Sequence, residues 1–323
     1  MAISRWRSVG IVEGPVRATV KDISELNVVF SAAFTDRYRR DGLSGVRVPY
    51  LNPVIWRYAI EDAAEGALLW RDERGAVAAF NMVHQSGTEG WMGPLAVRSD
   101  QQGHGVGKDV VARGIAWLRK REARVIGLET MPRTMDNIGF YSRLGFVPGQ
   151  LTVTLSYDAF RHESSVELLS RLSPAARDDA IGECRALVNS LLPGSDYTRE
   201  IGLTAELQLG DTFLLRDRDT LVGFALAHTA PLVEGRTRDE QRVLKLVLAD
   251  ESRFTAFAKA IANHTRHSGI RRVSFRMQAE YSNAYAQAIA LGMHVRWTDL
   301  RMSLGEPPPR HQGAGMALSN WEI

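Results

Sequence analysis

Three glycines alternate at positions 103, 105 and 107 in Gln102-Gly-His-Gly105-Val-Gly107-Lys108, directly after the apolar run Leu95-Ala-Val97. The run predicts a strand and the residues from 107 onward predict a helix, so the glycines form a strand-to-helix turn. Glycine adopts positive φ at little cost and leaves backbone N–H groups unshielded. Several such groups at the positive end of a helix make an anion site suited to phosphate. Neither common nucleotide loop fits. A dinucleotide fingerprint needs glycine three residues after Gly105, where Lys108 stands. A nucleoside-triphosphate loop needs Lys followed by Ser or Thr, and Asp109 follows Lys108.

This turn needs elements to hold it. The hydrophobic pattern predicts a strand over Val16–Val20, helices over Ser24–Tyr38 and Pro53–Ala64, and strands over Ala67–Arg71, Ala76–His84 and Glu89–Val97. A helix over Gly107–Arg121 carries Val110, Val111, Ile115 and Leu118 on one face. A strand over Arg124–Thr130, a helix over Asn137–Leu144 and a strand over Leu151–Tyr157 complete the unit.

The chain then repeats itself. Ala76–His84 is similar to Leu221–His228, with Phe80 and Phe224 separated by 144 residues and His84 and His228 by the same number. Leu95-Ala-Val97 matches Leu246-Val-Leu248, and Leu144-Gly-Phe146 matches Leu291-Gly-Met293, at separations of 151 and 147. Landmarks in one order at nearly constant spacing predict a tandem duplication. The second copy runs from about Val166 to Leu304, with the polar Asp158–Ser165 as linker. Its turn reads Ala249-Asp-Glu-Ser-Arg253, without glycine; Asp250 and Glu251 would repel a phosphate, and Ala288 stands opposite Tyr141. Glu306-Pro-Pro-Pro-Arg310 and Gln312–Gly315 predict a tail, with enough reach for Trp321-Glu-Ile323 to return to the first unit.

A length of 323 residues exceeds one ordinary domain and suits two. With 45% hydrophobic and 24% charged residues, overall disorder is excluded. No apolar run approaches the roughly 20 residues of a membrane span, and Met1–Arg5 lacks the start of a secretory signal. A single cysteine, Cys184, rules out an internal disulfide, a thiol redox pair and two-cysteine metal spacings. The net charge of +3 is small, and Arg119-Lys-Arg121 with Arg124 closes a helix, where cations suit the dipole. The expectation is a cytoplasmic protein without metal, membrane or nucleic acid partner.

Gln102-Gly-His-Gly105-Val-Gly107 resembles the Q/R-x-x-G-x-G/A signature of the GNAT superfamily of N-acetyltransferases. The resemblance extends to Leu95-Ala-Val97 and to Phe140-Tyr-Ser-Arg-Leu144-Gly-Phe146, covering roughly residues 16–157. It implies an α/β protein of two GNAT-like units, each a mixed, mostly antiparallel sheet flanked by helices. The catalytic unit would be 1–158, the degenerate one 159–305 and the tail 306–323. Gln102, Gly103, His104, Gly105, Val106, Gly107 and Lys108 would hold the pyrophosphate of acetyl-CoA, the acyl donor. The backbone of Leu95, Ala96 and Val97 would follow the pantetheine arm, an N–H of Leu95 or Ala96 polarising the thioester carbonyl.

Tyr141 would protonate the leaving sulfur, since a phenol of ordinary pKa near ~10 keeps its proton at neutral pH. Glu89 would draw the amine proton through water, although a hairpin turn also explains it; Glu129, or water alone, is the alternative. Many members place a pantetheine-binding asparagine seven residues before the tyrosine. Thr134 stands there instead, and Asn137, four before, also fits helix capping. The implied activity is direct acetyl transfer to a primary amine of a small molecule or peptide, with a homodimer among its assemblies. A longer acyl-CoA, or acyl-CoA sensing or protein interaction without catalysis, are the rival readings. The arginines of Asp36–Gly42 and Arg47–Tyr50 fall in the region that borders the acceptor.

Overall fold

The structure, a computed structural model, describes residues 11–305 and 313–323. Met1–Arg5, Glu306–Arg310 and Gln312 lie outside the described residues. The first unit runs β1 (Val12–Arg17), α1 (Ile23–Arg40), α2 (Pro53–Ala63), β2 (Ala67–Asp72), β3 (Val77–Ser86), β4 (Glu89–Val97), α3 (Val106–Lys120), β5 (Val125–Thr130), α4 (Met135–Arg143) and β6 (Phe146–Asp158). The second runs β7 (Glu167–Leu168), α5 (Pro174–Leu191), α6 (Thr198–Glu206), β8 (Gly210–Asp217), β9 (Thr220–His228), β10 (Glu240–Leu248), α7 (Phe254–His267), β11 (Arg272–Gln278), α8 (Ser282–Ala290) and β12 (His294–Leu304). A further strand, β13 (Met316–Ser319), follows. No described helix is long and apolar enough to cross a membrane.

Local chemistry sets the boundaries. Asn52 accepts from the Val54 N–H at the start of α2, and Ser173 accepts from Ala176 at the start of α5, each followed by proline at the first helical position. The first strand ends earlier than the pattern predicts. Asp22 accepts from both the N–H and the hydroxyl of Thr19, winding Val20–Asp22 into a short 3-10 turn. At the other end β6 starts at Phe146, five residues before the strand expected from Leu151.

One sheet spans both units in the order β1-β2-β3-β4-β5-β12-β6-β11-β10-β9-β8-β7. Read from either end, the order is the same strand sequence of one unit and then the other, as a tandem duplication requires. The last strands are exchanged. β12 pairs with β5 of the first unit, from Leu300 opposite Thr130 to Ser303 opposite Gly127. β6 pairs in turn with β11 of the second, from Arg272 opposite Asp158 to Gln278 opposite Thr152. Residues of the second half are thereby built into the first unit's sheet.

The end of the tail is built into the sheet. β13 pairs antiparallel with β10, from Lys245 opposite Ser319 to Leu248 opposite Met316. Trp321 beyond it is 1% exposed, in the apolar cluster between α1, α2 and the sheet. Its ring lies against Gly127, where a Cβ would come within 2.2 Å of it, and the Arg301 guanidinium stacks 4.0 Å from its centre. The glycines and prolines that precede β13 obscured a short apolar strand with an aromatic anchor.

Large-to-small replacement of such a residue removes buried area and leaves a cavity. Trp321→Ala should therefore lower the unfolding free energy by about 3–5 kcal/mol. Equilibrium denaturation should show this as a lower midpoint with an unchanged slope.

Candidate active site

β4 and β5 run parallel for four residue pairs, Glu89–Met92 beside Val125–Leu128, and then part. β10 and β11 do the same, with Glu240–Val243 beside Arg272–Phe275. In the second unit β13 fills the gap. The Asn320 N–H donates to the Leu244 carbonyl, and the Tyr281 hydroxyl bonds both backbone groups of Ala317. At the turn beyond, the Glu251 N–H donates to the Ala314 carbonyl at 2.7 Å and the buried Phe254 opens α7. That groove is occupied by the chain itself.

In the first unit no described strand enters the gap. Gly93, Pro94 and Leu95 on one side and Leu128–Met131 on the other line a cavity of about 530 Å³. In the turn that follows β4, Gly103 and Gly105 hold φ of +83° and +87°. A Cβ at either would meet nothing within 4 Å, so the turn cradles open space. Gly105 is the N-cap of α3, and no side chain caps that helix, leaving its first N–H groups for a ligand. The Gln102 amide donates to the Val97 carbonyl at 2.9 Å and closes the turn. Arg98 braces its start through Asp72 and Asp100, both at 2.7 Å. Gly107 packs against Phe140, while His104 and Lys108 are exposed.

Tyr141 on α4 lines the cavity and is buried. Burial in apolar surroundings disfavours the phenolate and raises its pKa. Asn137 lines the cavity as well. Thr134 does not: it is fully buried, and its hydroxyl donates to Asp41 at 2.9 Å, tying α4 to the end of α1.

Glu89 lies outside the cavity lining. Its carboxylate accepts from Trp321 Nε1 and Ser319 Oγ, both at 2.8 Å, and from the Tyr197 hydroxyl at 3.4 Å. With its lone pairs taken by three buried donors, it anchors the returning segment rather than facing an acceptor. Glu129 does face the cavity, but it is also committed. It accepts from Thr152 at 2.6 Å and Arg301 at 2.8 Å and pairs with Arg276. Burial alone would push its carboxyl up; the two guanidiniums and the Thr152 hydroxyl outweigh that and hold it at about 2.

Arg37, Tyr38, Thr130 and Thr154 of the first unit add polar lining, and the second half contributes Arg242, Arg276, Trp297, Asp299 and Glu322. Oxygens of Glu129, Asp299 and Glu322 lie within 4.8 Å of one another, a spacing that could hold a cation. The Arg276 guanidinium already meets all three, at 3.1 Å for Asp299 and 3.0 Å for Glu322. These residues escaped sequence reading because strand exchange and the return of β13 bring them in. One signal was present: Arg276 lies 147 residues after Glu129, the separation of Leu144 and Leu291.

Residues 32–146 match the family model described as acetyltransferase (GNAT) family. No curated protein matches the chain. Among solved structures, a candidate acetyltransferase from Pyrococcus horikoshii is 16% identical with a TM-score of 0.66, over 99% of this chain and 98% of that one. A tandem GNAT protein from the clavulanic acid biosynthesis pathway is 14% identical with a TM-score of 0.58, over 92% and 100%. N-Myristoyltransferase of Saccharomyces cerevisiae is 9% identical with a TM-score of 0.62, over 94% and 80%. Residues 32–146 of the first unit carry the match to the GNAT acetyltransferase family, and the chain as a whole shares the two-unit fold of these structures.

Removing one partner of a buried ion pair strands the others. Glu129→Gln should cost about 3 kcal/mol or more. Because the folded carboxyl is held at about 2 against an ordinary 4.5, its stabilisation is complete above pH 4.5 and is lost as pH falls through 2. Unfolding free energies measured across that interval should fall more steeply for the wild type than for the variant.

Proposed function

We propose that the chain transfers an acetyl group from acetyl-CoA to a primary amine of a small molecule or peptide, with the donor held by the first unit alone. One observation carries this reading. Of two equivalent gaps between parting strands, one holds the chain's own β13, and the other is open, its bordering strand β4 leading into a glycine turn with no side-chain cap.

The pyrophosphate sits on the Gly103–Gly107 backbone, where charge meets N–H groups and a helix N-terminus. Pantetheine carries two amides and lies along Pro94–Val97 as β13 lies along β10. Successive N–H groups of a strand point to opposite sides, so one of Leu95 and Ala96 faces the gap and donates to the thioester oxygen as it gains charge. Pro94 has no N–H to offer. Asn137 is placed to bond the arm. Attack by a neutral amine forms the C–N bond, the C–S bond breaks, and Tyr141 passes its retained proton to the sulfur. The second unit forms the facing wall of the acceptor cleft.

Calorimetric titration with acetyl-CoA should find one site per chain, and Gly105→Glu should abolish it while leaving the fold intact. Tyr141→Phe should bind normally and lose roughly 10²-fold or more in kcat. Binding without turnover of any amine would favour a sensor, a longer acyl-CoA binding better would change the donor, and no binding would overturn the proposal.

A further inference from the structure

β13 ends in the second unit's groove, and the next residues emerge opposite the first unit's gap. Asn320, Trp321 and Glu322 all line the cavity that Leu95 and Tyr141 also line. The segment is held firmly. Asn320 is 3% exposed, its N–H bonds Leu244, and its side chain exchanges two hydrogen bonds with the Glu322 backbone, at 3.1 and 3.2 Å. Trp321 is locked by Glu89 beneath it. Glu322 is therefore presented to the cavity by a neighbour fixed on each of two counts, hydrogen bonding and burial.

Three carboxylates meet around Arg276, and they differ in access. The Glu129 side chain is 1% exposed, that of Asp299 4% and that of Glu322 48%. Glu129 has three donors on its oxygens, and Asp299 accepts from Trp297 Nε1 at 3.1 Å besides Arg276. Among the described residues, the Glu322 side chain has one partner, Arg276 Nη1, which leaves it lone pairs in the cavity it lines. We propose that Glu322 is the general base that takes the proton from the acceptor amine, an assignment that rests on the acyltransfer reading above.

The surroundings suit the task. The cavity walls that enclose the carboxyl disfavour its charge even with 48% of the side chain accessible, Arg276 and Arg242 oppose this, and Asp299 and Glu129 reinforce it, so that Glu322 is pushed up to about 7. Tyr38 of α1 faces it as well. A base that titrates near the working pH combines a useful fraction of carboxylate with proton affinity. Of the two protons an ammonium acceptor must lose, Glu322 takes one before attack and passes it to water. The second leaves the nitrogen as the amide forms, and the thiolate gains one through Tyr141. The balance is acyl-CoA plus R–NH3+ giving amide, CoASH and one released proton.

The test is the pH profile of kcat/KM from pH 5.5 to 9 with acetyl-CoA and a panel of benzylamine, glycinamide and a short lysine peptide. It is run on the full chain, on Glu322→Gln and on Glu322→Asp, with acetyl-CoA affinity measured separately by calorimetry. The wild type should show a limb rising with pH through about 7. Glu322→Gln should keep its acetyl-CoA affinity and thermal midpoint, lose roughly 10²–10⁴-fold in rate and lose that limb. Glu322→Asp should keep the limb and recover part of the rate. A Gln variant within about twofold of the wild type, or one that retains the limb, overturns the assignment while the acyltransfer reading stands. A wild type that acylates no amine of the panel overturns both.

Discussion

Two strands that run side by side and then part leave a row of backbone N–H and C=O groups facing a gap, and buried groups of that kind must find partners. This constraint organises the whole chain. The second unit meets it with β13, whose backbone completes the ladder along Lys245–Leu248. The first unit leaves it unmet along the stretch that Gly93, Pro94 and Leu95 open to the cavity. The difference extends to the helix that follows each gap. The turn before α7 holds Glu251 bonded to Ala314, whereas Gly105 precedes α3 with no side-chain cap. One copy is satisfied from within, and the other is left open to the cavity.

Filling the second groove sets a register problem, because a one-residue slip of β13 would turn every side chain to the other face. A buried polar chain fixes it. Lys245 Nζ donates to Ser319 Oγ at 2.8 Å and to the Asn320 carbonyl at 3.3 Å, and sits 4.6 Å from the Tyr197 ring centre. Ser319 Oγ donates in turn to Glu89, which also accepts from Trp321 Nε1. Lys245 stands where the first unit has Pro94, at the 151-residue spacing. A proline could not supply this contact. Such a network adds little net stability against an apolar core, but any other register would strand a buried charge.

The sequence made the fold legible where signals were local: the glycine turn, the helix bearing Tyr141, and the repeat, whose landmarks recur with the strands in order. It misled where an answer depended on a partner far along the chain. Glu89 and Glu129 look equivalent as strand carboxylates. What separates them is Trp321, 232 residues from Glu89, and Arg301, 172 residues from Glu129. Thr134 and Asn137 differ likewise, through Asp41, 93 residues away from Thr134. Strand exchange made these distances large, and no propensity or spacing encodes an exchange.

The exchange also explains what a fused duplication permits. Glu129 and Arg276 are equivalent positions, as are Thr152 and Asp299, and Thr154 and Arg301, each pair 147 residues apart. Glu129 meets Thr152 and Arg301, while Arg276 meets Asp299 and Thr154. The two sets of contacts repeat each other with the charges reversed, and Glu129 meets Arg276 between them. In a symmetric pair of identical chains both positions would carry the same residue, so two carboxylates or two guanidiniums would face each other across the axis in a buried site. Like charges so placed cannot both stay ionised at ordinary pH. A chain holding both copies covalently can put Glu against Arg there, and the resulting asymmetry lets one copy keep an open groove while the other supplies its wall.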